Sequence, residues 1–131
     1  MKREIKFRAF WDDGKTMKYS DDHRNSGAFL DIAQGDLLVF GPNSVHIMQY
    51  TGLKDKDKVE IWEDDVVEAI MNFHGQETDT KFNAKIIYNS HIGAFQISYK
   101  NMHDHFVSDA ISGRYFLKVI GNIYENPELL K

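Results

Sequence analysis

The chain contains no cysteine. Fold stabilisation by disulfides is therefore excluded, and so is thiol nucleophile chemistry. No window approaches the roughly 20 apolar residues of a membrane-spanning helix. Met1-Lys2-Arg3-Glu4 runs directly into an alternating segment, without an apolar stretch of signal-peptide length, so a cytoplasmic protein with no membrane association is expected. A basic excess is also missing: sixteen Lys and Arg stand against twenty Asp and Glu, for a formal net charge of -4. That balance argues against a duplex-binding protein, which displaces counterions with a basic face. Neither a Gly-x-Ser-x-Gly elbow nor a phosphate-cradling or dinucleotide Gly-rich loop occurs, so the sequence shows no catalytic apparatus for acyl transfer, nucleotide hydrolysis or hydride transfer.

What is present is apolar and aromatic. The 131 residues fit one domain, read as 1–131, and 42% are hydrophobic, with nine Phe, six Tyr and two Trp. A chain of this size buries roughly two-thirds of its extended surface on folding, enough for one core.

Hydropathy alternates along much of the chain. Ile5, Phe7, Ala9 and Trp11 share one side of a strand over Glu4–Trp11, and Lys6 and Arg8 share the other. Asp12-Asp13-Gly14-Lys15 is a turn, and Thr16–Tyr19 alternates again, so a hairpin is expected over Glu4–Tyr19. Ser20–Ala28 reads as a loop. Phe29–Phe40 fits either a short helix or a strand pair, Gly41-Pro42-Asn43-Ser44 reads as a turn, and Val45–Tyr50 as a strand. Thr51–Lys58 is the most charged stretch and reads as a solvated connection, dividing the chain into subregions 1–58 and 59–131.

Five β-rich runs follow, at Val66–Phe73, Phe82–Tyr88, Ala94–Tyr99, Phe106–Ile111 and Phe116–Tyr124. Short strands at this spacing suggest a small closed barrel or sandwich. Asn126 suits a helix N-cap and Pro127 a first helical position, so one helical turn is expected to press Leu129 and Leu130 onto the body. The fold class is thus α+β, mostly β: an N-terminal hairpin segment, a small barrel and a short C-terminal helical turn.

Tyr50-Thr51-Gly52-Leu53-Lys54-Asp55-Lys56, continuing through Glu60-Ile61-Trp62-Glu63-Asp64-Asp65-Val66-Val67, resembles a segment of the YopX family of bacteriophage and prophage proteins. So do Val119-Ile120-Gly121-Asn122-Ile123-Tyr124-Glu125-Asn126-Pro127-Glu128-Leu129-Leu130 and the opening Ile5-Lys6-Phe7-Arg8-Ala9-Phe10-Trp11. The family pattern commonly has Gly where Asp64 stands, and another Gly where Asp57-Lys58 stand. Asp tolerates the left-handed conformation better than most residues, so Asp64 is expected to hold the same turn. The resemblance implies a phage or prophage origin, a C-terminal SH3-like β-barrel and a tendency to form homo-oligomers. It implies no enzymatic activity, catalytic residue or cofactor, and no functional residue is carried over from it.

Candidate chemistry is sparse. His103 and His105 would project to one side of a strand and could share a transition metal with His91 or Asp109 as third ligand; a His pair in a solvent-facing loop is the plainer reading. Glu60, Glu63, Asp64, Asp65 and Glu68 are numerous enough to hold a divalent cation, but lack the spacing of a calcium loop and read better as a solvated turn in which Asp65 accepts backbone N–H bonds. Tyr88, Phe95, Tyr99 and Phe106, with Lys85, Lys100 and Arg114, have the aromatic and basic character of a single-strand nucleic-acid surface, unless the aromatics are core. Trp62 reads as a packing residue if buried and an interface anchor if exposed; Trp11 and Phe7 are further interface candidates. Ile5, Phe7, Trp11, Phe29 and Phe40 need a partner surface that a small barrel does not supply. The leading expectation is a non-enzymatic, self-associating module that binds a host or phage protein. Single-strand nucleic-acid binding is the first alternative, and a metal-dependent activity at the His pair the second.

Overall fold

The structure, a computed structural model, describes residues 4–12, 15–21, 45–99, 105–106 and 113–130. The expectations for Phe29–Phe40, the Gly41–Ser44 turn, Lys100, His103 and Asp109 lie outside the described residues, as do those for most of the Ser20–Ala28 loop.

Nine strands are described: β1 (Phe7–Trp11), β2 (Thr16–Tyr19), β3 (Val45–Lys54), β4 (Glu60–Trp62), β5 (Asp65–Phe73), β6 (Gln76–Asn89), β7 (Ala94–Ser98), β8 (His105–Phe106) and β9 (Tyr115–Asn122). Among the described residues there is no α-helix, so the α+β expectation is corrected to nearly all-β. The expected C-terminal helical turn is a four-residue 3-10 turn, Pro127–Leu130, closed by Leu129 N–H donating to Asn126 O at 3.2 Å. A run this short satisfies i to i+3 bonds more readily than an α-helical nucleus.

The chain divides into two compact units at Tyr50/Thr51, eight residues before the 58/59 division read from the charge run. In unit 1, β1 pairs antiparallel with β2 (Arg8 opposite Tyr19, Trp11 opposite Thr16) and with β3 (Phe7 opposite Gln49, Ala9 opposite Ile47). The hairpin expected over Glu4–Tyr19 is therefore present. Strand β3 enters unit 2 at Thr51, where it lies beside β4.

Unit 2 holds an antiparallel sheet in the order β8-β7-β6-β5-β9. Strand β5, between β6 and β9, buries Val66, Val67 and Ala69 completely. With Ile61, Ala84, Ile86, Ile97, Tyr115 and Leu117, Val67 and Ala69 form one core, against which Leu53, Phe82, Phe95, Tyr99 and Val119 pack. The β5–β6 hairpin is tighter than the gap between the expected runs Val66–Phe73 and Phe82–Tyr88. His74 (φ 52°) and Gly75 (φ 83°) are both left-handed, the requirement of a two-residue turn whose twist matches its strands, and β6 starts at once at Gln76.

Thr51–Lys58 is not the solvated connection expected. Thr51–Lys54 continues β3, and Asp55 is 7% exposed. Asp55 Oδ1 accepts the N–H groups of Asp57 (2.8 Å) and Val59 (2.9 Å), and Oδ2 accepts that of Val119 on β9 (2.8 Å). Lys56 N–H donates to Leu117 O at 2.9 Å. The turn therefore occupies backbone groups on β9 that an edge strand would otherwise leave unpaired. Composition made the segment look solvated because Lys54, Lys56, Asp57 and Lys58 are charged, whereas one short carboxylate among them organises the turn.

Lys58 (φ 66°) and Asp64 (φ 67°) both adopt the left-handed conformation, at the two places where the YopX pattern commonly has Gly. Asp64 is held on both sides: its N–H donates to Ile86 O (2.9 Å) and its carbonyl accepts Ile123 N–H (3.0 Å). The expectation that Asp64 keeps the turn is met.

The Lys56 ammonium pairs with the Glu77 carboxylate. That hydrogen bond is the largest influence and raises the Lys56 pKa above its ordinary value of 10.5; desolvation, next in size, opposes it, and the charges of Glu77, Asp57 and Asp55 add to the rise. A raised lysine pKa stabilises the fold fully below the ordinary value, and the effect is lost as pH rises through the folded value. An NMR titration of the Lys56 side chain is expected to give a midpoint above 10.5, returning toward it in Glu77→Gln.

Candidate functional site

The largest departure from the expected pattern is in β1. Alternation does place Ile5 and Phe7 on one side and Lys6 and Arg8 on the other, and the ordinary reading buries the apolar side. In the structure Lys6 is 9% and Arg8 4% exposed, whereas Ile5 is 65% and Phe7 39% exposed. Ile47, which pairs with Ala9 and lies on the same side as Phe7, is 47% exposed.

The basic side is built from side chains that solvate the cations. Arg8 Nε donates to Met48 Sδ at 3.4 Å, and Met48 is fully buried. Lys6 Nζ sits 4.9 Å from the centre of the Tyr50 ring and is paired with Glu4 (3.3 Å) and Asp21 (3.7 Å). An aromatic face and two carboxylates offset the loss of water around the ammonium while its stem is covered. Lys6, Arg8, Phe10, Met48 and Tyr50 thus share the buried side. Ile5, Phe7 and Ile47 are left on the open side, with Ala9 fully buried among its neighbours and Trp11 half-buried beside Lys18 (5.0 Å from ring centre to Nζ).

The other sequence candidates are dispersed. Trp62 is 3% exposed in unit 2, where its N–H donates to Asp65 Oδ2 at 2.8 Å. Asp65 is itself 2% exposed, so the acidic turn does use Asp65 as a backbone acceptor but does not leave it solvated. His91 is exposed, His105 belongs to β8, and His103 is outside the described residues. Among the described residues, no three His, Asp or Glu side chains stand close enough to share a metal ion.

The aromatic set is split. Tyr88, 46% exposed, meets Phe95 at a tilt of 58° with centroids 5.2 Å apart, whereas Tyr99 packs on Phe82 (4.6 Å) against the core. Lys85 lies 3.9 Å from Asp64, whose other carboxylate oxygen accepts the Tyr124 hydroxyl at 2.8 Å. Arg114 is exposed, and Lys100 lies outside the described residues. No helix among the described residues is long and apolar enough to cross a membrane.

Sequence reading missed Ile47 as a surface residue and Asp55 as a buried one. The available signal for Ile47 was its parity with Phe7 across a β1–β3 pair, which needs the pairing register before it can be read.

Two solved structures share this fold. Protein EF1440 from Enterococcus faecalis superposes with a TM-score of 0.64 at 24% identity, covering 99% of this chain and 100% of that one. Protein YopX from Bacillus subtilis superposes with a TM-score of 0.59 at 17% identity, covering 96% and 98%. No curated protein matches the chain. The family model described as YopX protein matches residues 6–131, and the chain belongs to the YopX family.

Proposed function

We propose that this YopX-family protein is a non-enzymatic interaction module of phage or prophage origin, acting in the host cytoplasm, that self-associates through the open side of its first sheet. The observation that carries this reading is the inverted burial of β1: cations covered, Ile5, Phe7 and Ile47 exposed. A lone exposed apolar residue is ordinary, but an apolar side left open while the basic side of the same strand is buried marks an interaction surface. The occupant fitted to it is a second copy. The exposed Ile5, Phe7 and Ile47 are uncharged, so they meet their counterparts in a second copy without repulsion among themselves, and Lys18, opposite Ala9, is drawn to the Trp11 ring on that side. Burying one such side chain contributes about 1.5–3 kcal/mol.

Unit 2 is read as an SH3-like small barrel. The contacts of Asp55 and Lys56 with β9 and of Asp64 with Ile86 support this, because they tie the β3–β4 and β4–β5 connections to strands of the second sheet. Sedimentation equilibrium over a wide concentration range tests self-association. A mass above the 15.2 kDa of one chain is expected, rising with concentration. A monomer throughout overturns the proposal.

A further inference from the structure

We propose that a groove on the outer side of β6, in unit 2, binds an extended acidic peptide segment. Lys81, Asn83 and Lys85 alternate on this strand, and Ser98 on β7 lies opposite Lys85. The terminal 3-10 turn is fastened over them by Asn83 Nδ2 donating to Leu129 O at 2.9 Å. Between the turn and the strands lies a groove of about 420 Å³, lined by these residues, by the aromatic pair Phe82 and Tyr99, and by Leu129 and Leu130. Pockets of about 300–1,000 Å³ with an apolar wall and a few placed polar groups are the usual form of a binding site.

Charge selects the occupant. The Lys81 ammonium has no partner among the described residues, and Lys85 makes only the loose 3.9 Å contact with Asp64. Two cations are thus available in a protein whose total charge is negative. Four residues of strand place them about 13 Å apart, the spacing of side chains i and i+4 in an extended peptide. Carboxylates at those two positions would meet the lysines, and an apolar side chain between them would rest on Leu129 and Leu130. Asn83 and Ser98 offer hydrogen-bonding groups to its backbone.

A nucleic-acid strand is disfavoured by the same count. Two phosphate contacts give a salt slope of only about -1.4, too small a counterion release to support binding of a polyanion by an acidic protein.

The test is a ¹⁵N–¹H chemical-shift titration with an end-blocked Glu-Ala-Leu-Ala-Glu peptide, its Gln-Ala-Leu-Ala-Gln counterpart, and a short oligothymidylate. The Glu peptide is expected to shift residues 81–85, 98 and 129–130 saturably, and to bind about fivefold or more tightly than the Gln peptide. Lys81→Glu, at an exposed position, is expected to weaken the Glu peptide by about five- to tenfold with an unchanged circular dichroism spectrum. No saturable shift with the Glu peptide, equal binding of both peptides, or tighter binding of oligothymidylate overturns the proposal. The groove uses none of Ile5, Phe7 and Ile47, so its failure leaves the self-association reading untouched.

Discussion

Asp55→Ala is expected to cost about 3–5 kcal/mol of folding stability, a large share of the 5–15 kcal/mol that holds a domain of this size. The carboxylate accepts three backbone N–H groups, from Asp57, Val59 and Val119, and ties the β3–β4 turn to β9. Alanine leaves all three donors without their acceptor, and each buried donor left unmade costs about 1–3 kcal/mol. The sum falls short of three full penalties because Asp57 and Val59 are exposed enough for water to reach their backbone. Val119 is partly buried and packed against the core, so its loss weighs most.

Asp55→Asn separates hydrogen bonding from packing. One oxygen still accepts from Asp57 and Val59, but the amide NH2 then faces the Val119 N–H, and about 1–3 kcal/mol is expected. Urea unfolding with an unchanged slope reads both values. A loss under about 1 kcal/mol for Asp55→Ala would show that the turn does not depend on this side chain.

Gly121→Ala is the second large effect, with an expected loss of about 1–3 kcal/mol. The reason is close approach rather than backbone conformation. A Cβ at Gly121 would overlap Asn126 Oδ1 and stand 2.8 Å from Asn126 Cγ and 2.9 Å from Leu129 Cδ1. Asn126 is held in place: its N–H donates to Asn122 O at 2.9 Å, and its Oδ1 accepts Asn122 N–H at 3.3 Å. Asn122 in turn accepts the N–H groups of Tyr124 and Glu125 on its own Oδ1, at 3.1 and 2.9 Å. The methyl group must therefore lift the whole Asn126–Leu130 tail from the sheet. Faster amide hydrogen exchange over residues 126–130, with β5 and β6 still protected, is the expected signature. Full protection of the tail in Gly121→Ala would contradict it.

Much of the second sheet was legible because its strands alternate and its turns carry Gly, Asn or Asp at the bends. Val66–Phe73 and Ala94–Tyr99 were read to within a residue of β5 and β7. The tail was legible as a turn but not as a 3-10 turn, since Asn126 directs its side chain back to Asn122 instead of capping a helix. Asp55 was illegible for a different reason. Hydropathy averages over neighbours, and a single buried carboxylate among solvated lysines is visible only once Val119, 64 residues away, is brought to it.

The open side of β1 was half legible. Period two separates Phe7 from Arg8, but it does not say which side faces the interior. The covered cations have tertiary neighbours that no local window contains, Met48 beside Arg8 and Tyr50 beside Lys6, together with the carboxylates of Glu4 and Asp21 on Lys6.

The most direct test is sedimentation equilibrium on the Phe7→Lys/Ile47→Lys double variant beside the parent chain, with circular dichroism as the control for folding. The expected result is a parent that associates and a variant that is monomeric at the same concentrations with an unchanged spectrum. A folded variant that associates as strongly as the parent would contradict the claim that the inverted face of β1 is where two copies meet.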